Sequence, residues 1–416
     1  MPSYTGEQTQ FKYFYDALVN KFPGLATADG STVFQFATVP YAAEWVDGTL
    51  ESIYNSANIT SAGVGGFLTP ESGTFYNGYS TLITSLKVPD STSNKDYTHA
   101  QTMVANVANE LNVILLKAHS AYSNWKAQNQ SENGTVDSFG KWLASVDGFQ
   151  YNSEILAKQS ELTTLRNQLA KITKTMNGAI GKAQADLSSD QIGITPLGGE
   201  SEQVPRFGIS GNLSQDKTNW DSYDADTWDL DITINSKTVV KSDWKILYDQ
   251  SVEQKCLTTK TRNKINTSRI IQDKAFSLNF KSKGAEAYNI VRGGWYFPTF
   301  VNPSVALEPN IPGVNTQSVF GLHGPMHLVP ETLVVLYKPS MTLTTTTETY
   351  EQYIGAHADA DVNWLDIFGF RFDIGQNSGI KKVSGPKTTT IEMPIPGDST
   401  PQVFGVNSKV AFAPPS

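Results

Sequence analysis

The stretch from Ser153 to Leu187, SEILAKQSELTTLRNQLAKITKTMNGAIGKAQADL, places Leu162, Leu165, Leu169, Ile172, Met176, Ala179 and Ala183 at steps that alternate three and four. That alternation is the step of a coiled-coil seam, with Lys, Gln, Glu and Thr left outside. At 1.5 Å per residue such a helix reaches roughly 50 Å. The reading puts one helix over 151–188, with the five residues from Leu162 to Met176 as a hairpin or oligomer seam.

Working back towards the N-terminus, residues 98–127 show the same period. Met103, Val104, Val107, Leu111, Ile114, Leu115, Ala118, Tyr122 and Trp125 recur at helical spacing, with Asp96 or Thr98 available as a cap. A short helix over Val136–Val146, carrying Phe139, Trp142 and Leu143, lies between the two long ones. Long helices joined this closely predict an antiparallel hairpin. Further back, Phe11, Phe14, Tyr15, Leu18 and Phe22 predict a helix that Pro23-Gly24 stops. Val33, Phe34 and Phe36 read as a short extended piece, followed by helices over Tyr41–Ala57 and Pro70–Leu86. Residues 1–190 are therefore expected to form a helical domain.

Working forward, Ser188–Pro205 breaks the pattern with Pro196, Gly198-Gly199, Glu200 and Glu202, so 191–205 reads as a linker. Beyond it the period falls to two. Trp228, Leu230, Ile232 and Ile234 alternate with polar residues, as do Phe276, Leu278 and Phe280. Further strands are expected at Tyr288–Phe297, Thr332–Thr345, Val362–Ile374, Thr388–Met393 and Gln402–Phe412; Trp244–Cys256 suits helix or strand. Residues 206–416 read as a β-rich domain resembling an antiparallel sandwich, and the chain as α+β.

Composition narrows the function. Charged residues make up 17% of the chain, against a typical value of about 25%. Thr, Ser, Asn and Gln carry the polarity instead. Such side chains lose little entropy when immobilised, so the surface is inexpensive to bury against another protein. The net charge of -8 and scattered basic residues argue against nucleic acid as a partner. Cys256 is the one cysteine, so no intramolecular disulfide can form. The polar segment Met1–Gln10 predicts no Sec signal, and no apolar run is long enough for a transmembrane helix. The expectation is synthesis in the cytoplasm, with release by lysis or a specialised route. The Asn-x-Ser/Thr triplets at Asn58, Asn129, Asn133, Asn212 and Asn266 then follow from composition alone.

Candidate chemistry is sparse. His323, His327 and Glu331 resemble a metal cluster, but Pro325 and Pro330 exclude the helix that would gather them, leaving a strand-end loop. His357, Asp359 and Asp361 would share one face of a strand and could hold a divalent ion; the plainer reading is the polar side of that strand. Gly63, Gly65 and Gly66 follow no clear strand, and the glycines around Lys182 lie in a helix with Ala183 where a phosphate loop needs Ser or Thr. No cofactor is expected. Trp295, Tyr296 and Phe297 form the densest aromatic run, a binding surface if exposed and sheet core if buried. Asn58–Leu68 and Met341–Ile354 are nearly uncharged segments that could meet a membrane, the second as a strand pair; a Gly-rich loop and a plain strand are the plainer alternatives.

Together these point to a non-enzymatic, homo-oligomerising protein. One form is membrane-active, like a pore-forming toxin, with a membrane or cell-surface receptor as partner. The other is a self-assembling subunit of an inclusion, sheath or filament. A membrane-active protein must hide an element it can release, and the small residues and glycines ending the 162–183 seam favour that form.

Overall fold

The computed structural model describes residues 15–25, 31–60, 67–68, 74–88, 95–129, 142–143, 145–173, 178–195, 201–235, 237–238, 270–309, 311, 313–321, 324–353, 381–393 and 400–411. The helices are α1 over 15–21, α2 (Leu50–Ala57), α3 (Phe75–Thr84), α4 (Lys95–Asn129), α5 (Phe149–Thr173), α6 (Ala179–Asp186), α7 (Leu213–Asp221), α8 (Thr316–Phe320) and α9 (Thr347–Tyr353). The strands are β1 (Thr32–Ala42), β2 (Phe67–Leu68), β3 (Gln191–Ile194), β4 (Glu202–Pro205), β5 (Phe207–Ile209), β6 (Leu230–Asn235), β7 (Ser277–Arg292), β8 (Leu328–Thr346), β9 (Lys381–Ser384), β10 (Thr388–Met393) and β11 (Gln402–Val410). Helices and a largely antiparallel sheet combine, so the class is α+β.

Nine strands make one sheet, spined by the long antiparallel pair β7 and β8. One end of β8 pairs with β11 and the other with β10, while β7 takes β6 and β5 along its far edge. β3 and β4 form a separate two-stranded sheet inside the expected linker. Among the described residues no second large sheet faces the first, as a sandwich requires.

The spine strands change faces halfway. On β7, Leu278 and Phe280 enter the same core as Ala285, while Tyr288 and Ile290 enter the other; on β8, Leu336 shares its core with Met341 and Leu343. A strict two-residue alternation cannot do this, so each strand spends one extra residue. The extra residues are Lys283 and Lys338, which stand between the paired residues Ser282↔Pro339 and Gly284↔Tyr337, and Lys338 has φ +48°. Both lysines fasten the adjoining segment. Lys283 Nζ donates to the carbonyls of Asp224, Ala225 and Thr227 at 2.6–2.9 Å, and Lys338 Nζ donates to Asp221 at 2.6 Å. Gly284 is required here, since a Cβ would lie 2.0 Å from the Trp220 ring that stacks over Tyr337.

The N-terminal region contributes to this sheet. β1 pairs with β11 from Thr32↔Lys409 to Ala42↔Gln402, so Phe34 and Phe36 pack with Phe404 and Leu336. The residues expected to begin a helix at Tyr41 instead finish a strand. The helix starts at Leu50, where Thr49 accepts from the Ser52 amide. The expected helix over 151–188 appears as α5 and α6, with 174–177, and hence Met176, outside the described residues. Gly178, at φ +127°, turns the chain into α6 in a conformation only glycine adopts easily.

Candidate functional site

α4 and α5, the two long helices expected to pair as a hairpin, share a core among the described residues. Leu162 and Leu169 of α5 are buried with Val104, Val107, Leu111, Ala118 and Tyr122 of α4, and Leu165 and Ile172 pack at the margin. Contacts between the helices run in opposite directions: Glu110 with Lys158 at 2.6 Å, and Trp125 Nε1 with Asp147 at 3.0 Å. Tyr122, Trp142 and Tyr151 close the far end, with ring centroids 5.6 and 5.8 Å apart. Val146 is 96% exposed and Phe149 65% beside this cluster, and Leu116, six residues back along α4 from Tyr122, is 67% exposed.

The other end of the hairpin sits on α3, a helix buried on nearly every side. One side of α3 (Phe75, Tyr76, Tyr79, Leu82, Ile83) joins the core over the sheet. The side towards the hairpin is polar. A helix ends with carbonyls that have no partner within it. Gln101 of α4 donates to the Thr84 carbonyl, and Gln184 of α6 donates to the Ile83 carbonyl at 3.1 Å. Gln184 also exchanges hydrogen bonds with the Tyr97 hydroxyl, at 2.9 and 3.2 Å. Burial pushes that hydroxyl up to about 12, with the Gln184 contact working against the rise. Tyr76 donates to the Leu187 carbonyl at 2.7 Å.

Arg166 lies in the middle of this layer. It is 7% exposed, donates to Ser80 Oγ, and holds its guanidinium 5.1 Å from the centre of the Tyr76 ring. Its Nε has no hydrogen-bond partner. Burial pulls the guanidinium below its ordinary value, the Tyr76 and Tyr54 hydroxyls oppose this, and no described carboxylate contributes. A buried charge without a counter-ion is costly, so this contact is weaker than its burial suggests. Among the described residues the two apolar cores meet largely across a layer of amides, hydroxyls and one cation without a described counter-ion; Ile180 packs against both, and Ala105 of α4 lies in the sheet-side core.

The remaining candidates fall elsewhere. Trp295 is fully buried, donating from Nε1 to the Arg206 carbonyl at 2.9 Å and lying against Tyr76, Tyr79 and Phe207. The aromatic run is thus a core element at Trp295, with Tyr296 and Phe297 half-buried beside it, and not an exposed surface. His327 is buried with Nδ1 2.9 Å from the Phe320 carbonyl, while His323 lies outside the described residues. His357, Asp359 and Asp361 lie outside them too, as does Cys256. Among the described residues no group of three His, Cys, Asp or Glu could hold a metal. Of Asn58–Leu68, residues 58–60 are buried, 61–66 lie outside, and Phe67-Leu68 pairs with β1. Met341–Ile354 is not a strand pair: β8 ends at Thr346 and α9 begins at Thr347.

A cluster of ionisable groups stands at the face change. Asp221 accepts from Tyr337 at 2.7 Å, Lys338 at 2.6 Å and Lys217 at 2.8 Å. Burial pushes its carboxyl up, but these three donors outweigh burial and hold it well below the usual range. Every member has a partner within the fold, which makes the cluster a clamp on α7. Among the described residues no helix is long and apolar enough to cross a membrane. No family model matches the chain, and neither a curated protein nor a solved structure matches it.

Proposed function

We propose that this is a non-enzymatic, oligomerising protein that acts on membranes by parting its helical hairpin from α3. The observation that carries the reading is the polar layer. Breaking the Gln101 and Gln184 contacts exchanges protein hydrogen bonds for water at about 0.5–1.5 kcal/mol each, and the charged Arg166 contact, at about 1.5–3 kcal/mol, is offset by the hydration its guanidinium regains. The α4–α5 seam is apolar and stays closed during that separation. The hairpin tip supplies what a lipid surface would receive. Burying each of Val146 and Phe149 contributes roughly 1.5–3 kcal/mol. The hairpin's amphipathic helices would need several copies to line a polar path through a bilayer, in keeping with an oligomer. The β half is then free to meet a cell-surface receptor.

The second reading is a self-assembling subunit of an inclusion, sheath or filament. It is favoured by the Thr-rich side of the sheet, where Thr342, Thr344 and Thr390 stand partly exposed. Dye release from lipid vesicles beside light scattering separates the two. Leakage at nanomolar protein, abolished by Phe149→Asp with Val146→Asp, is the expected result. Intact vesicles and growing ordered particles would transfer the conclusion to assembly.

A further inference from the structure

Two buried donors, one on each side of the boundary between the hairpin and the rest of the fold, have no acceptor. One is Nε of Arg166 on α5, a residue 7% exposed. The other is Nδ2 of Asn58, at the C-terminal end of α2, a residue 4% exposed. The orientation of the Asn58 side chain is fixed, because the atom that accepts from the Tyr76 backbone amide at 2.8 Å must be its oxygen. Tyr76 also ties the two donors together. Its backbone holds Asn58, and the centre of its ring lies 5.1 Å from the Arg166 guanidinium. Tyr54, whose carbonyl accepts from the Asn58 backbone amide at 2.9 Å, neighbours both as well. Burial, then Glu202 and Tyr76, push its hydroxyl up, while Asn58 and Arg166 act against the rise. Glu202 reaches Tyr54 but not Arg166. A buried lysine can shed its proton, whereas an arginine keeps its charge. Two donors and one lasting positive charge call for a ligand that only accepts and carries one negative charge. Water fits poorly, since it brings two donors of its own and no charge.

We infer that a small monovalent anion, of chloride's size and charge, binds between Arg166 and Asn58 and latches the hairpin onto α2 and α3. The inference deepens the opening reading above and rests on it for its consequence, since the anion holds shut the boundary proposed to part. Arg166 travels with α5 and Asn58 stays with α2, so separation pulls the two donors apart and empties the seat. An anion bound to the closed form alone lowers the open population by a factor of one plus its concentration over its dissociation constant. Its removal leaves the guanidinium buried without a counter-ion, which favours opening.

The test is thermal melting of the full chain as chloride replaces gluconate, an anion too bulky for an enclosed seat, at constant ionic strength. The wild-type midpoint should rise by a few degrees as chloride fills the seat. Arg166→Met should melt above the wild type without chloride, show no rise, and lose its lead as chloride is added. Asn58→Asp keeps an acceptor for the Tyr76 amide and puts a carboxylate in place of the anion, so it should be stable without chloride and indifferent to it. A wild-type midpoint that ignores chloride overturns the seat, as does a chloride response that survives in either variant. Should a variant fail to fold, the chloride NMR linewidth of the wild type decides: a broadened line that bromide sharpens supports the seat, and an unbroadened line overturns it. Vesicle leakage separates the seat from the reading it rests on. Leakage should slow by up to about tenfold when chloride reaches ten times its dissociation constant. A midpoint that follows chloride while leakage does not keeps the seat and overturns the opening of this boundary.

Discussion

The hairpin is enclosed along two surfaces, and they are made of opposite materials. Between α4 and α5 the contact is leucine, isoleucine, valine and aromatic rings. Between the hairpin and α3 it is mainly polar: Gln101 and Tyr97 of α4, Gln184 of the neighbouring α6 and the Arg166 guanidinium, which meets no described carboxylate, with Ala105 of α4 the apolar exception. Both exclude water, yet they respond to opening in different ways. An apolar seam loses its whole transfer energy as soon as it separates. A hydrogen-bonded layer recovers most of its bonds from water, and a buried arginine gains hydration. Under the proposed function the polar boundary is the one that opens and the apolar seam the one that moves as a unit.

The largest effect that could break this comparison is on the seam. Leu162→Ala and Leu169→Ala should each cost about 2–5 kcal/mol and melt the hairpin, read as a shifted urea midpoint with loss of helical circular dichroism. A cost below that range would mean the seam is not the rigid element. Arg166→Met should move the other way, since replacing a buried charge by an apolar chain of similar volume is often stabilising, by roughly 1–4 kcal/mol. A higher melting temperature together with slower vesicle leakage is expected; a marked loss of stability would show that Arg166 has a counter-ion after all.

Smaller changes sharpen the comparison. Gln184→Ala should remove about 0.5–1.5 kcal/mol, measured by denaturant titration, and should speed leakage instead of abolishing it. The smallest effect concerns Asp221, which is partly solvent-exposed and so screened. Its carboxyl is held below its unfolded value, so its contribution is present above about pH 4 and is lost as pH falls through the folded value. The stability difference between wild type and Asp221→Asn should therefore shrink as pH drops from about 5 towards 2. Acid melting curves that stay parallel would remove the clamp from the account. The hairpin–α3 boundary should be indifferent to this substitution, because Asp221 belongs to the sheet side.

The two surfaces were not equally legible. The seam is a periodic pattern within one stretch of chain; of its residues, Leu162 and Leu169 are buried with α4 and Leu165 and Ile172 lie at the margin. The polar layer has no such signature. Gln101 and Gln184 look like solvent-facing positions, and only the α3 carbonyls make them structural. Arg166 left one trace, a cation between Leu162 and Leu169 on the buried stripe of α5. The mid-strand face change was not legible: Leu278, Phe280, Tyr288 and Ile290 all fall on even positions, which strict alternation would keep on one face, yet they enter two different cores. β1 was read as a short extended piece because its partner β11 lies some 370 residues away, and local pattern does not record such pairing. Trp295 shows the limit for sites: an aromatic run has the same composition on a surface as in a core, and its hydrogen bond to Arg206 decides between them.

The central claim is that the hairpin leaves α3 as an intact unit. Spin labels at the exposed positions Leu116 and Val291, in a chain with Cys256→Ser, would report the distance from hairpin to sheet by electron–electron double resonance. A second pair, Leu116 with Leu156, would report the hairpin itself. On adding vesicles the account predicts a longer, broader 116–291 distance and an unchanged 116–156 distance. Vesicles that leak while the 116–291 distance stays fixed would contradict it.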